Sequence, residues 1–181
     1  MRLKVPDPPL SNGEVALRRF GAGDAGWVTE ACQDDELHRW LPLPRPYTER
    51  DARAYIRGNE REWGEGTRAT FAIVDAATGE ALGSIALSIH RPGLAEVGYW
   101  VRAGRRRAGV ATSAVRLLAG WAFRELRIDR LQLTTHPDNT ASQRVAERAG
   151  FTREGVLRAY HPTSDGPRDA VMFSLLPGDG D

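Results

Sequence analysis

Between Ala95 and Leu126 the hydrophobic pattern changes period once, and that change constrains the fold more than any other feature. Ala95-Glu-Val-Gly-Tyr-Trp-Val101 reads as a strand. From about Gly109 to Leu126, residues Val110, Ala114, Leu117, Leu118, Trp121 and Ala122 recur at the i, i+4, i+7, i+8 spacing of one buried helical face. Only an Arg- and Gly-containing turn separates the two, so a strand runs almost directly into a helix. The first amides of that helix lack intrahelical partners, and the dipole makes its start positive. Gly109 has no Cβ and lets a ligand approach the backbone. Arg105, Arg106 and Arg107 oppose the dipole by roughly 0.3–1 kcal/mol each. A phosphate or pyrophosphate at the helix start would compensate them; a solvated basic turn without a ligand fits the turn alone equally well. Neither G-x-x-x-x-G-K-[ST] nor G-x-G-x-x-G occurs.

The other elements arrange themselves around this unit. Val15 to Phe20 reads as a short strand, and Asp24 as the cap of a helix reaching about Cys32. Trp40-Leu-Pro-Leu-Pro-Arg-Pro-Tyr47 carries three prolines in five positions, so it is an ordered loop presenting Trp40 and Tyr47. Thr48 and Asp51 form a capping box for a helix to about Trp63. Thr70–Val74 and Ala81–Ile89 pair as an antiparallel hairpin across Ala77-Thr-Gly-Glu80, and Arg91-Pro-Gly93 turns into the Ala95 strand. A strand from Leu131 to Thr135 follows, then a short helix from Asn139 to Ala149 ended by Gly150. Phe151–Leu157 and Ala170–Leu176 complete a final strand pair. Intermixed helices and antiparallel strands place the chain in the α+β (mixed α/β) class.

With 181 residues the chain suits one domain, since about 100–200 residues per domain is usual. Residues 14–176 form that domain; residues 1–13 and 177–181, rich in Pro, Gly and Asp, are expected to fray. Lys+Arg 25 against Asp+Glu 24 leaves no overall field that would drive nucleic-acid binding. Lys4 is the only lysine, so nearly every cation is a guanidinium. One cysteine, Cys32, forms neither an intramolecular disulfide nor a multi-cysteine cage. Its acidic neighbours disfavour a thiolate, which argues against a cysteine nucleophile. His38, His90, His136 and His161 lack metal-ligand spacing, so no metal is expected. No apolar run approaches the roughly 18 residues of a membrane span. The expected compartment is the cytoplasm, with neither nucleic acid nor membrane as partner.

Arg106-x-x-Gly109-x-Ala111 resembles the R/Q-x-x-G-x-G/A motif of the GNAT N-acetyltransferase superfamily. Asn139-Thr-Ala-Ser142 and Ala149-Gly-Phe151, at the two ends of one helix, match a second hallmark. Ala95-Glu-Val-Gly-Tyr-Trp-Val101 and Arg153-Glu-Gly-Val-Leu-Arg158 look like the RimJ/RimL branch, which acetylates ribosomal-protein N-termini. The resemblance covers about Val15 to Leu176 and is strongest from Glu96 to Arg158. It implies a GNAT fold: a twisted, mostly antiparallel sheet of about six or seven strands, flanked by about four helices, with a splayed strand pair forming the acetyl-CoA cleft.

By that resemblance, amides of Arg107, Ala108, Gly109, Val110, Ala111 and Thr112 cradle the pyrophosphate, with Arg106 in the same loop. Backbone near Trp100 and Val101 pairs with pantetheine. Asn139 bonds cofactor or holds the cleft, and its position suits a helix N-cap as well. The reaction, attack of a neutral amine on a thioester, needs a base, donors for an oxyanion and a proton for sulfur. Glu96, among apolar neighbours in sequence, is the candidate base, directly or through a water; a strand carboxylate paired with an arginine is the alternative. Many superfamily members carry an acidic tyrosine seven residues after the asparagine, where this chain has Ala146. Ser142 is the substitute, although a first-turn serine also bonds backbone.

The acceptor surface is expected at the Trp40–Tyr47 loop and a turn around Tyr160, His161 and Asp165, where aromatic residues also serve as packing anchors. An α-amine, roughly a quarter neutral near pH 7.4, suits such a site better than a lysine amine, about a thousandth neutral. The expected activity is acetyl transfer from acetyl-CoA to a protein N-terminal α-amine. A small-molecule amine such as an aminoglycoside or polyamine, drawn by Gln33-Asp-Asp-Glu36, is the alternative, and a non-catalytic CoA-binding sensor a third. A homodimer stays open.

Overall fold

The computed structural model describes residues 3–163 and 165–179. In chain order it contains β1 (Leu10–Ser11), β2 (Val15–Arg18), α1 (Ala25–Ala31), α2 (Asp35–Trp40), α3 (Glu49–Glu65), β3 (Arg68–Asp75) and β4 (Ala81–Arg91). There follow β5 (Leu94–Val101), α4 (Val110–Leu126), β6 (Arg130–Thr135), α5 (Thr140–Arg148), β7 (Thr152–His161) and β8 (Arg168–Leu175). One eight-stranded sheet takes the order β1-β2-β3-β4-β5-β6-β8-β7. Every neighbouring pair is antiparallel except β5 and β6, which are parallel.

Local chemistry starts and stops these elements as the residues dictate. Thr48 and Asp51 close a capping box on α3: the Asp51 carboxylate accepts the Thr48 amide at 2.9 Å, and Thr48 Oγ1 accepts the Asp51 amide at 3.4 Å. Gly66 then ends the helix at φ 74°, a left-handed conformation that only glycine adopts without strain. In α4 the buried face comprises Val110, Ala114, Val115, Leu118, Ala119, Trp121 and Ala122. Leu118 has no exposed surface, and burying such a side chain contributes about 1.5–3 kcal/mol.

Two apolar clusters result. The larger joins α4 and α5 to the sheet through Phe71, Ile85, Leu87, Val97, Leu131 and Phe173. The smaller packs α1 on α3 through Val28, Cys32, Tyr47, Ala52 and Ile56.

The mixed α/β arrangement is the expected one; among the described residues it has eight strands and five α-helices, slightly more than, and compatible with, the about six or seven strands and about four helices expected. The additions are β1 and α2, each too short to show a period in sequence. Within the N-terminal segment expected to fray, Leu3 is buried, Leu10 packs on the core, and Leu10–Ser11 pairs with β2. Residues 1, 2, 180 and 181 of the segments expected to fray lie outside the described residues. Asp24 stands at the start of α1 without capping it; its carboxylate binds Arg18, the Gly21 amide and Trp27 instead.

Candidate active site

β5 has two unlike edges. On the β4 side it is paired from Leu94 to Val101. On the β6 side pairing covers only Leu94–Arg130, Ala95–Leu131 and Glu96–Gln132, after which the strands part. β6 stays paired with β8 through Thr135, so the opening is confined to the space between β5 and β6. Among the described residues, the β5 backbone beyond the fork has no strand partner on this side. Buried peptide groups rarely go without partners, and an extended amide-bearing chain laid in the gap would satisfy them. Val97 and Val101 line this arm at 2% and 8% exposure.

The turn beyond β5 leads into α4. Gly109, at φ 78°, precedes the helix with no side-chain cap, and a Cβ there would meet nothing within 4 Å. The Ser113 amide donates to the Gly109 carbonyl at 3.0 Å as the first helical bond. The amides of Val110, Ala111 and Thr112 therefore point off the helix end, where an anion is favoured. This cradle and the open strand edge fit a pyrophosphate-bearing amide chain.

The arginines divide their labour. Arg105 pairs with Glu80, and Arg106 pairs with Asp34 while its Nε donates to the Val101 carbonyl at 3.1 Å. Arg107, exposed at φ 63°, has no hydrogen bond or ion pair among the described residues. The cationic charge anticipated from three arginines is thus reduced to one uncompensated guanidinium beside an uncapped helix.

Glu96 sits on the last paired position of the fork. Its carboxylate accepts from Thr134 Oγ1 at 2.6 Å and Gln132 Nε2 at 3.3 Å, and His90 Nε2 lies 2.9 Å away. The apolar neighbours in sequence therefore point elsewhere: strand alternation turns Ala95 and Val97 into the core, and polar groups from β4 and β6 meet the carboxylate. The partner is a histidine rather than an arginine. Glu96 is 24% and His90 43% exposed, so the pair opens to solvent.

Ser142 lies in the first turn of α5. Asn139 caps that helix, its Oδ1 accepting the Ser142 amide at 3.0 Å. Ser142 Oγ does not bond its own helix; its partner is the Tyr99 hydroxyl at 3.0 Å. Ala146 has no exposed surface and faces the core, so that position presents nothing to the fork.

The helix α2 straddles the opening. Asp34, its N-cap, holds Arg106 beyond β5, while Trp40, its last residue, packs on His136 beyond β6 with centroids 5.6 Å apart. Half-buried Trp40 thus borders the fork. Trp100 turns its ring to Trp27, 5.8 Å away, so only its backbone edge faces the gap.

Tyr47 is 7% exposed and belongs to the α1–α3 cluster, which corrects its assignment to an acceptor surface. The proline-rich loop points it inward because the apolar face of α3 lies directly beneath. Tyr160, 42% exposed, lies within β7 against His161 rather than in a turn. Burial pushes the Cys32 thiol up to about 11. Among the described residues no three His, Cys, Asp or Glu side chains gather as a metal site, and no helix is long and apolar enough to cross a membrane. In sequence Tyr99 is only part of a strand motif, His90 only a histidine without metal-ligand spacing and Asp34 only part of an acidic segment, since each acquires its place here from a partner on a different element. Alternation offered one hint: Tyr99 shares the face of Val97 and Val101.

Residues 14–152 match the family model of the acetyltransferase (GNAT) domain. The uncharacterized N-acetyltransferase p20 of Bacillus licheniformis is 28% identical over 92% of this chain and 95% of its own length. The ribosomal-protein-serine acetyltransferase of Escherichia coli K12 is 26% identical over 71% of this chain and 72% of its own. Mycobacterium smegmatis RimJ, solved in complex with CoA-disulfide, superposes with a TM-score of 0.81 at 25% identity, over 90% of this chain and 81% of that one.

Proposed function

The chain belongs to the GNAT acetyltransferase family and is an acetyl-CoA-dependent N-acetyltransferase; within that activity, we propose that its acceptor is a protein N-terminal α-amine and that Glu96 is the base. The observation that carries this reading is the position of Glu96 at the point where β5 and β6 part.

Acetyl-CoA supplies a thioester whose carbonyl carbon is the electrophile. The open edge of β5 from Val97 to Val101 holds its amide-bearing arm, and the amides from Arg107 to Thr112 hold its pyrophosphate, with Arg107 as the free counter-charge. Thr134 and Gln132 fix the Glu96 carboxylate by donating to it. Glu96 takes the proton of the incoming ammonium, and His90 passes it to solvent. Ser142 donates its hydroxyl to the departing sulfur. One carboxylate held by neutral donors suits an amine that ionises near 7.7–8.0 better than a lysine near 10.4. Similarity to a ribosomal-protein-serine acetyltransferase supports an α-amine acceptor.

The polycation alternative finds less support. Asp34 is held by Arg106, Asp35 by Arg45 at 3.1 Å, and Glu36 accepts from Trp40 Nε1 at 2.8 Å. Each carboxylate of the acidic segment thus has a partner within the chain.

The test is an acceptor panel followed by free-thiol release. It pairs ribosomal-protein N-terminal peptides, the same peptides with blocked N-termini, aminoglycosides and polyamines with acetyl-CoA. Release with free but not blocked peptides is the expected result. Release with aminoglycosides or polyamines alone overturns the α-amine reading, and no amine-dependent release at all favours a sensor.

A further inference from the structure

We propose that Tyr99 is a positioning residue for acetyl transfer, its phenol donating to Ser142 Oγ so that the serine hydrogen stays free for the thioester sulfur. The inference rests on the reading of Ser142 given above. Tyr99 lies on β5 three residues past Glu96, on the arm that has left β6. Ser142 lies on α5, the helix that follows β6. Their contact therefore joins the two arms beyond the fork, bordering the gap where an extended substrate would lie.

Two hydroxyls meet at this contact, either of which can donate, and the proposal assigns the hydrogen between them to the phenol. Tyr99 Oη is 3.0 Å from Ser142 Oγ and 3.4 Å from the Ser142 carbonyl, so both oxygens near the phenol belong to one residue and either can take its hydrogen. A phenol has one hydrogen, and directing it at Ser142 satisfies it. Ser142 Oγ has no other hydrogen-bond partner among the described residues, which leaves its own hydrogen unassigned. Burial pushes the Tyr99 phenol up to about 12, so it remains a donor across the working pH range. Asn139 holds the Ser142 backbone while Tyr99 holds its side chain.

During transfer the amine nitrogen bonds the carbonyl carbon and the C–S bond breaks, its electron pair leaving on sulfur. Ser142 stabilises that charge by a hydrogen bond and does not ionise. The proton lost by the amine goes to Glu96, so neither hydroxyl of the pair gains or loses one overall. A hydrogen bond to a charged group accounts for roughly a tenfold to hundredfold effect.

The test combines Tyr99→Phe, Ser142→Ala and the double variant. Two readouts are used: thiol release with acetyl-CoA and a free N-terminal peptide, and ultraviolet titration of the thiolate of bound CoA, which needs no acceptor. Tyr99→Phe is expected to lower kcat about tenfold with the KM for acetyl-CoA within about twofold. It should also raise the pH at which bound CoA ionises. In the Ser142→Ala background it should change neither readout further, since coupled residues are not additive. If both single variants are impaired and their effects simply multiply, Tyr99 acts independently of Ser142 and the proposal is overturned. A Tyr99→Phe variant changed only in KM overturns it as well. If Ser142→Ala is silent in both readouts, the assignment of Ser142 fails first, and this inference with it.

Discussion

The two edges of β5 carry the same residues and meet opposite fates. Toward β4 the strand is paired over its whole length; toward β6 it is paired at three positions and then released. The closed edge holds the molecule together, and under the proposed function the open one takes part in the chemistry. On that reading, the site is built by withholding hydrogen bonds from a strand whose other edge is fully paired. Substitutions on the two sides should therefore separate stability from activity.

The largest effect is expected on the closed edge. A Cβ on Gly83 would lie 2.2 Å from the Trp100 carbonyl oxygen, so Gly83→Val forces β4 and β5 apart. A stability loss of about 3 kcal/mol, or roughly 6–12 °C in Tm, is expected in thermal unfolding. A loss within about 1 kcal/mol would mean that the closed edge yields as easily as the open one.

At the fork, Glu96→Gln should lower turnover about 100-fold while acetyl-CoA affinity stays within about twofold. The deficit should shrink as pH rises, because the amine then loses its proton unaided. A deficit constant with pH would make Glu96 a brace for the fork rather than a base.

On the open side, Gly109→Val fills the space above an uncapped helix. We expect at least a tenfold loss of acetyl-CoA affinity by calorimetry, about 1.4 kcal/mol. Left-handed strain adds about 1–2 kcal/mol of instability. Unchanged affinity would refute the cradle.

The smallest effect belongs to the anchored end of β6. Glu154 accepts from Arg130 at 2.7 Å and from Ser174 at 2.7 Å. Arg130 first, then Ser174, lowers its pKa from 4.5 to about 2. A depressed carboxyl stabilises the fold above its unfolded value, and that contribution is lost as pH falls through the folded one. The pair is partly exposed, so screening limits Glu154→Gln to less than about 1 kcal/mol. The difference from the parent should be constant above pH 4.5 and vanish as pH falls toward 2.

Much of this arrangement is legible in sequence where one element suffices. Gly109 ahead of the Val110–Leu126 periodicity marks a helix start open to a ligand, and Thr48 with Asp51 marks the start of α3. Glu96 on its strand and Asn139 at its cap stand where the motifs put them. Legibility ends where a side chain takes its meaning from another element. Tyr47 follows a proline-rich segment that suggests display, yet the α3 face draws it inward. Arg106 belongs to a basic turn, yet Asp34, far away in sequence, neutralises it.

The sequence by itself determined the period change at Ala95–Leu126, the exposed amides before α4 and the order of the elements, because backbone propensity and capping act over a few residues. Only the tertiary structure decided that β5 leaves β6 after Glu96, that His90 and Thr134 meet its carboxylate, and that Tyr99 reaches Ser142. These depend on strand register and helix placement, which are set by burying one shared apolar face and are written in no single segment.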